Sequence, residues 1–195
     1  MAGESIQQLT AGDEAPDFEL RGTDEETYTL ADFADNDALL LVFTCNHCPY
    51  AKAKHPLLND LAAEHDDVAV VGINPNDPTE YEDDSFESMQ EAVEAGEIAY
   101  DAYLFDESQE VAKRYGAVCT PDPFLFERDG DVFRLAYHGR LDDALNPDDE
   151  PERYHIREAI NAVLAGNPVD LDFEPSRGCT IKWRDGNEPE YWDQI

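Results

Sequence analysis

Ala38-Leu39-Leu40-Leu41-Val42-Phe43-Thr44-Cys45-Asn46-His47-Cys48-Pro49 is the stretch on which the fold of this chain turns. Its first six residues are apolar without alternation, as a strand buried on both faces requires. Proline follows the second cysteine directly, where a helix can begin because its first turn needs no N–H from that residue. A C-x-x-C held between a buried strand and a helix N-terminus is a redox arrangement, since the free backbone N–H groups and the positive end of the helix dipole favour a thiolate there. The spacing predicts Cys45, on the loop side, as the more exposed sulfur and the nucleophile. Cys48, one turn further in, is expected to resolve the mixed disulfide.

On either side of this corner, strand and helix patterns alternate. Upstream, Asp17–Leu20 and Thr27–Leu30 read as a short antiparallel pair. Downstream, a helix is expected from about Pro49 to His65, kinked at Pro56. Val68-Ala69-Val70-Val71-Gly72-Ile73 reads as a second buried strand, followed by the Asn74–Pro78 loop. Ser85 opens a helix with Phe86, Met89 and Val93 on its inner face, and Gly96 closes it. Tyr103–Phe105 is a short strand, and Ser108 caps a helix through Tyr115 that Gly116 stops. Pro123–Glu127 and Val132–Tyr137 form strands around the Arg128–Asp131 turn. The last long helix starts near Pro151, buries Ile156, Ala159, Ile160, Val163 and Leu164, and ends at Gly166. The fold class is therefore α/β: a central mixed β-sheet flanked by helices, with an N-terminal β-hairpin and a C-terminal tail. The expected organisation is an arm over residues 1–10, one domain over 11–166, and a weakly patterned tail over 167–195 that packs on the domain.

The chain has 195 residues, 42% of them hydrophobic, enough for one core without a disulfide framework. The formal net charge is −33, with acidic clusters spread along the chain, which excludes nucleic acid and anionic membranes as partners. An acidic coat of this kind suits a protein that works in molar salt, where the Debye length is only ~3 Å. The longest apolar run is too short to span a bilayer, and no signal-peptide pattern precedes the domain, so a cytoplasmic location is expected.

Four cysteines are present: Cys45, Cys48, Cys119 and Cys179. A zinc site could draw on them together with His47 and His55, but no second C-x-x-C completes it, and no metal is expected. Basic residues gather near the cysteines, with Lys52 and Lys54 after Cys48, and Arg177, Lys182 and Arg184 around Cys179. Local positive charge favours a thiolate, and a protonated His47 would add to it. Cys179 reads either as a buried structural cysteine or as a thiol that exchanges with Cys45 or a partner when the tail folds back.

Val42–Pro49 resembles the active-site corner of thioredoxin-fold proteins, and Tyr115–Phe126 resembles the segment that carries their cis-proline. The tail Arg177–Trp183 is similar to that of a peroxiredoxin-like branch of the redoxin, or alkyl hydroperoxide reductase/thiol-specific antioxidant, family. The resemblance runs from about Ala11 to Trp192. It implies a thioredoxin-like fold, with Pro121 as the cis-proline and Thr120 offering its backbone to substrate. The Pro-x-x-x-Thr-x-x-Cys signature of peroxide-reducing members is broken, because Leu40 takes the proline position and His47 the cysteine position.

The expected activity is therefore that of a thiol–disulfide oxidoreductase using Cys45 and Cys48. The dithiol is its own redox centre, so no bound cofactor is expected. The partners are a protein or small-molecule disulfide, or a peroxide, with a thiol reductant. Two alternatives stand beside it: a thiol-dependent peroxidase, and a non-enzymatic redoxin-fold zinc or binding protein.

Overall fold

The computed structural model describes residues 2–195; Met1, the first residue of the expected arm, lies outside them. In chain order the elements are β1 (Ala2–Glu4), β2 (Glu19–Gly22), β3 (Thr27–Thr29), β4 (Ala38–Phe43), α1 (Pro49–Lys52), α2 (His55–Glu64) and β5 (Val68–Asn74). They continue with α3 (Phe86–Glu94), β6 (Ala102–Phe105), α4 (Glu110–Tyr115), β7 (Cys119–Thr120), β8 (Asp122–Asp129), β9 (Val132–His138), α5 (His155–Leu164) and β10 (Arg177–Thr180).

Seven strands form one mixed sheet in the order β3-β2-β6-β5-β4-β8-β9. β4 lies inside it, parallel to β5 and antiparallel to β8, and all six of its residues are fully buried. Their alternation divides the core. Leu39, Leu41 and Phe43 pack with Val111, Ala112 and Tyr115 of α4 and with Phe124 and Phe126. Leu40 and Val42 face the opposite way, onto Leu58 and Leu61 of α2 and Ile156 and Ile160 of α5. Helices on both faces bury the two sides of β4, which is why its sequence lacks a polar alternate. Among the described residues, no helix is long and apolar enough to cross a membrane.

Four expectations need correction. The helix after the cysteines is two helices, not one kinked one. A helix through Pro56 would lose the bond from its missing N–H and force its ring against Lys52. The chain instead ends α1 at Lys52 and restarts with proline in the first turn of α2. Val93 is exposed, because α3 covers only a small cluster of Met89, Ile98 and Tyr103. The last helix begins at His155, not near Pro151; the Asp143 carboxylate accepts the Glu152 and Arg153 amides and holds that stretch as loop. Its last residue, Leu164, is also at the surface.

The tail carries a strand that composition did not reveal. β10 pairs antiparallel with both β1 and β7, making a second sheet of order β1-β10-β7. Gly178 permits the pairing: a Cβ there would lie 1.9 Å from the Thr120 carbonyl oxygen, a distance no side chain tolerates.

Most acidic residues stay on the surface, but Asp84, Asp106, Asp122 and Asp142 are buried, and each has a partner. Asp106 accepts the Ala112 amide of α4, Asp122 meets His138 Nε2 at 2.9 Å, and Asp142 meets Lys54 Nζ at 2.6 Å. Asp84 belongs to the cysteine corner.

Candidate active site

β4 ends at Phe43, and Thr44 extends its ladder by one more bond, donating its amide to Ile73. The chain then turns through Cys45-Asn46-His47, and Cys48 is the residue from which α1 starts. The turn is clamped by Asp84, in the short 3-10 segment Glu82–Asp84. One Asp84 oxygen accepts the amides of Asn46 (2.8 Å) and His47 (3.1 Å); the other meets the His47 Nδ1 and the Asn76 side-chain amide (2.8 Å). Burial alone would raise the Asp84 carboxyl, but the bond to His47, its charge and the other donors outweigh it and hold the group below its ordinary value.

The cis Thr120–Pro121 peptide lies against this turn, and Thr120 is the common neighbour of three cysteines. Cys45 Sγ is 3.1 Å from Thr120 Oγ1, Cys48 Sγ is 3.3 Å from the Thr120 carbonyl oxygen, and Thr120 is the register partner of Cys179. The Cys179 amide donates to Cys48 Sγ at 3.4 Å, and the Cys179 and Cys45 thiols also hydrogen-bond to Cys48. Cys48 is thus the middle sulfur of three.

The expected difference in exposure does not hold. Cys45 and Cys48 are both 0% exposed, and Cys179 is the half-buried one. Burial, the bond to Cys48 and the Asp84 charge push the Cys45 thiol well above its usual value. Cys48 falls to about 5: the bond from the Cys45 thiol contributes most and outweighs burial, with the Cys179 thiol and the Ala51 and Cys179 amides adding to it. The Cys45 and Cys179 thiols and the Ala51 and Cys179 amides reach Cys48, which itself donates to the Thr120 carbonyl, while a carboxylate stands near Cys45.

The remaining predicted residues are dispersed. The His47 ring is committed to Asp84 and stacked on Tyr81, with centroids 4.0 Å apart. Lys54 turns away to Asp142 and the Ala144 carbonyl, and Lys52 is exposed. His55 is buried; burial lowers its pKa to about 4, and its ring bonds the Cys45 carbonyl. Cys119 is fully buried against the carbonyls of Pro121 and Ser176, outside the sulfur cluster. Among the described residues one trio could reach a single metal ion: Cys45, His47 and Asp84, whose ligand atoms lie within 4.8 Å of one another. The carboxylate's roughly four acceptor positions are already filled by its four hydrogen bonds, so a metal would have to displace one of them.

Sequence reasoning missed Asp84, Asn76 and Asn46. Asp84 sits in Glu82-Asp83-Asp84, indistinguishable from the surface clusters by composition; only the fold buries one of the three.

The AhpC/TSA family model matches residues 11–134, which include the cysteine corner and the cis-proline. The chain belongs to the AhpC/TSA family. The thioredoxin-like fold of this AhpC/TSA member is shared by similar solved structures. A hypothetical protein from Sinorhizobium meliloti 1021 is similar at a TM-score of 0.86 and 39% identity, over 94% of this chain and 99% of that one. A putative thiol:disulfide interchange protein DsbE from Chlorobium tepidum shares the fold at a TM-score of 0.59 and 22% identity, over 80% of this chain and 99% of that one. In sequence, the thiol:disulfide interchange protein DsbE of Yersinia pestis is 29% identical over 140 residues, 71% of this chain and 69% of that protein.

Proposed function

We propose that the protein is a thiol–disulfide oxidoreductase whose redox couple is Cys45 and Cys48. The observation that carries the reading is geometric: two buried sulfurs lie together at the cis Thr120–Pro121 peptide, Cys45 3.1 Å from the Thr120 hydroxyl and Cys48 3.3 Å from its carbonyl, and their acidities shift in opposite directions. A couple so arranged holds one thiolate ready at neutral pH and a protonated thiol beside it. AhpC/TSA proteins are usually oxidoreductases, and the Yersinia pestis relative is a thiol:disulfide interchange protein, which supports disulfide and thiol substrates with a reductant partner. The hydrogen bonding favours Cys48 as the attacking thiolate and Cys45 as the resolving thiol, the reverse of the order expected from the motif. Cys48 attacks a substrate disulfide and expels one thiolate. Cys45 then attacks Cys48 and releases the second, leaving a Cys45–Cys48 bond. Thr120 and Pro121, against the two sulfurs, are the proposed contacts for the substrate backbone.

Trapping tests the assignment. In a Cys179→Ser background, Cys45→Ser should accumulate mixed disulfides on Cys48, whereas Cys48→Ser should abolish disulfide reduction. Mixed disulfides formed only in Cys48→Ser would restore Cys45 as nucleophile. Thiol-dependent consumption of hydrogen peroxide without disulfide reduction would move the protein to the peroxidase class.

A further inference from the structure

The half-buried Cys179 thiol lies on Cys48, 131 residues away in sequence, and packs against the buried cluster of Cys45, Cys48 and Ala51. β10 is fixed in register: Cys179 faces Thr120, Thr180 faces Cys119, and the Thr120 hydroxyl donates to the Cys179 carbonyl at 3.5 Å. Gly178 sets this close approach, and β1 holds the strand from its other side with Ala2 opposite Cys179. Cys179 is therefore placed against Cys48 by two strands. Any reagent that reaches the inner pair through this face meets Cys179 first.

We infer that Cys179 is a third redox thiol, and that Cys48 is the shared sulfur of two alternative disulfides, Cys45–Cys48 and Cys48–Cys179, the second of which carries oxidation to the surface. The inference deepens the dithiol reading above and rests on it. Starting from the Cys45–Cys48 disulfide, Cys179 gives up its proton and attacks Cys48. The Cys48–Cys179 bond forms and the Cys45–Cys48 bond breaks. Cys45 leaves with the electron pair and takes up a proton, so the number of disulfides is unchanged. An external thiol, from a small molecule or a protein, then attacks the half-buried Cys179 sulfur and expels Cys48 as thiolate. A second external thiol attacks the mixed disulfide and leaves with the first as a disulfide, returning Cys179 to the thiol. Two external thiols are oxidised and one protein disulfide is reduced.

The electrostatics suit the second step, in which Cys48 leaves. Cys48, with its converging donors, is the better leaving group in the second step. Cys179 is itself raised to about 12, by burial and by the neighbouring Cys48 sulfur. The contribution of Cys48 disappears once that sulfur is in a disulfide, while Lys182 goes on favouring the thiolate.

The test is a disulfide map of the full chain after stoichiometric oxidation with diamide: free thiols are alkylated, the monomer is digested without reduction, and peptides are identified by mass spectrometry. Wild type should yield both Cys45–Cys48 and Cys48–Cys179 peptides, and Cys45→Ser should convert almost wholly to Cys48–Cys179. The wild-type map stands alone if the variant does not fold. Cys179→Ser should slow reduction of the oxidised protein by dithiothreitol about tenfold, because attack must then reach a buried sulfur. A wild-type map with only Cys45–Cys48, and Cys179 alkylated as fast as in the reduced protein, would overturn the third thiol and leave the dithiol standing. A map with neither bond would overturn both.

Discussion

Asp84→Ala isolates the carboxylate that shapes the cysteine turn. The substitution removes the acceptor of four hydrogen bonds and leaves the Asn46 and His47 amides, the Asn76 amide and the His47 ring without it, at a position with no solvent exposure. Removing one member of a buried pair costs ~3–5 kcal/mol. For a chain of this size each kcal/mol moves the melting temperature by about 2–4 °C, so the loss is about 6–20 °C. Asp84→Asn keeps the volume and one oxygen for the two backbone amides, but sets a donor against Asn76, and should cost ~2–3 kcal/mol. Because the folded carboxyl titrates below its ordinary 3.8, its contribution is complete above that pH and is lost as pH falls through the lowered value. The gap between wild type and Asp84→Asn should therefore be constant above about pH 4 and narrow below it. Thermal unfolding followed by circular dichroism from pH 7 to pH 2 measures this. A second readout is chemical: removing the charge should make Cys45 easier to deprotonate, seen as faster alkylation in a Cys48→Ser background. An alanine variant melting within about 2 °C of wild type, or curves parallel to pH 2, would refute the clamp.

Cys48 should appear in the reduced protein as one thiolate absorbing near 240 nm with a midpoint near 5, absent in Cys48→Ser; since that value is depressed from 9.0, its contribution to stability should be whole above pH 9 and fade as pH falls to about 5. Gly178→Ala should displace β10 from Thr120 and speed alkylation of Cys48, measured by timed quenching; an unchanged rate would mean that the strand does not cover the sulfur. Dilution from molar to 0.01 M salt, which extends the Debye length from ~3 to ~30 Å, should lower the melting temperature of a chain with net charge −33; an unaltered melting temperature would remove the proposal of adaptation to high salt.

The parts of the fold that were legible in the sequence are those decided by local pattern. β4 and β5 announce themselves because burial on two faces leaves no room for a polar residue, and the β8–β9 hairpin because the turn between them is built from charged residues and a glycine. The C-x-x-C corner and cis-Pro121 were legible from motif and resemblance. What escaped depends on contacts between distant residues. β10 has no alternation of its own and exists through β1 and β7. Asp84 differs from Asp83 only in which way the chain turns. The acidities of Cys45 and Cys48 depend on their contact with each other and on donors from the distant β10, so a reading from the motif alone could only assign them by position.

That long separation between Cys48 and its cover has a consequence during synthesis. A ribosome adding roughly 5–20 residues per second needs about 7–26 s to make the 131 residues between Cys48 and Cys179. Through that interval the nascent chain carries the Cys45–Cys48 pair without the strand that shields it. Chains stalled before residue 177 should therefore take up a thiol reagent at Cys48 much faster than chains that have released β10, as pulse labelling would record. The protein thus spends its first seconds as an open dithiol, and an oxidant present during translation meets it before the mature fold exists.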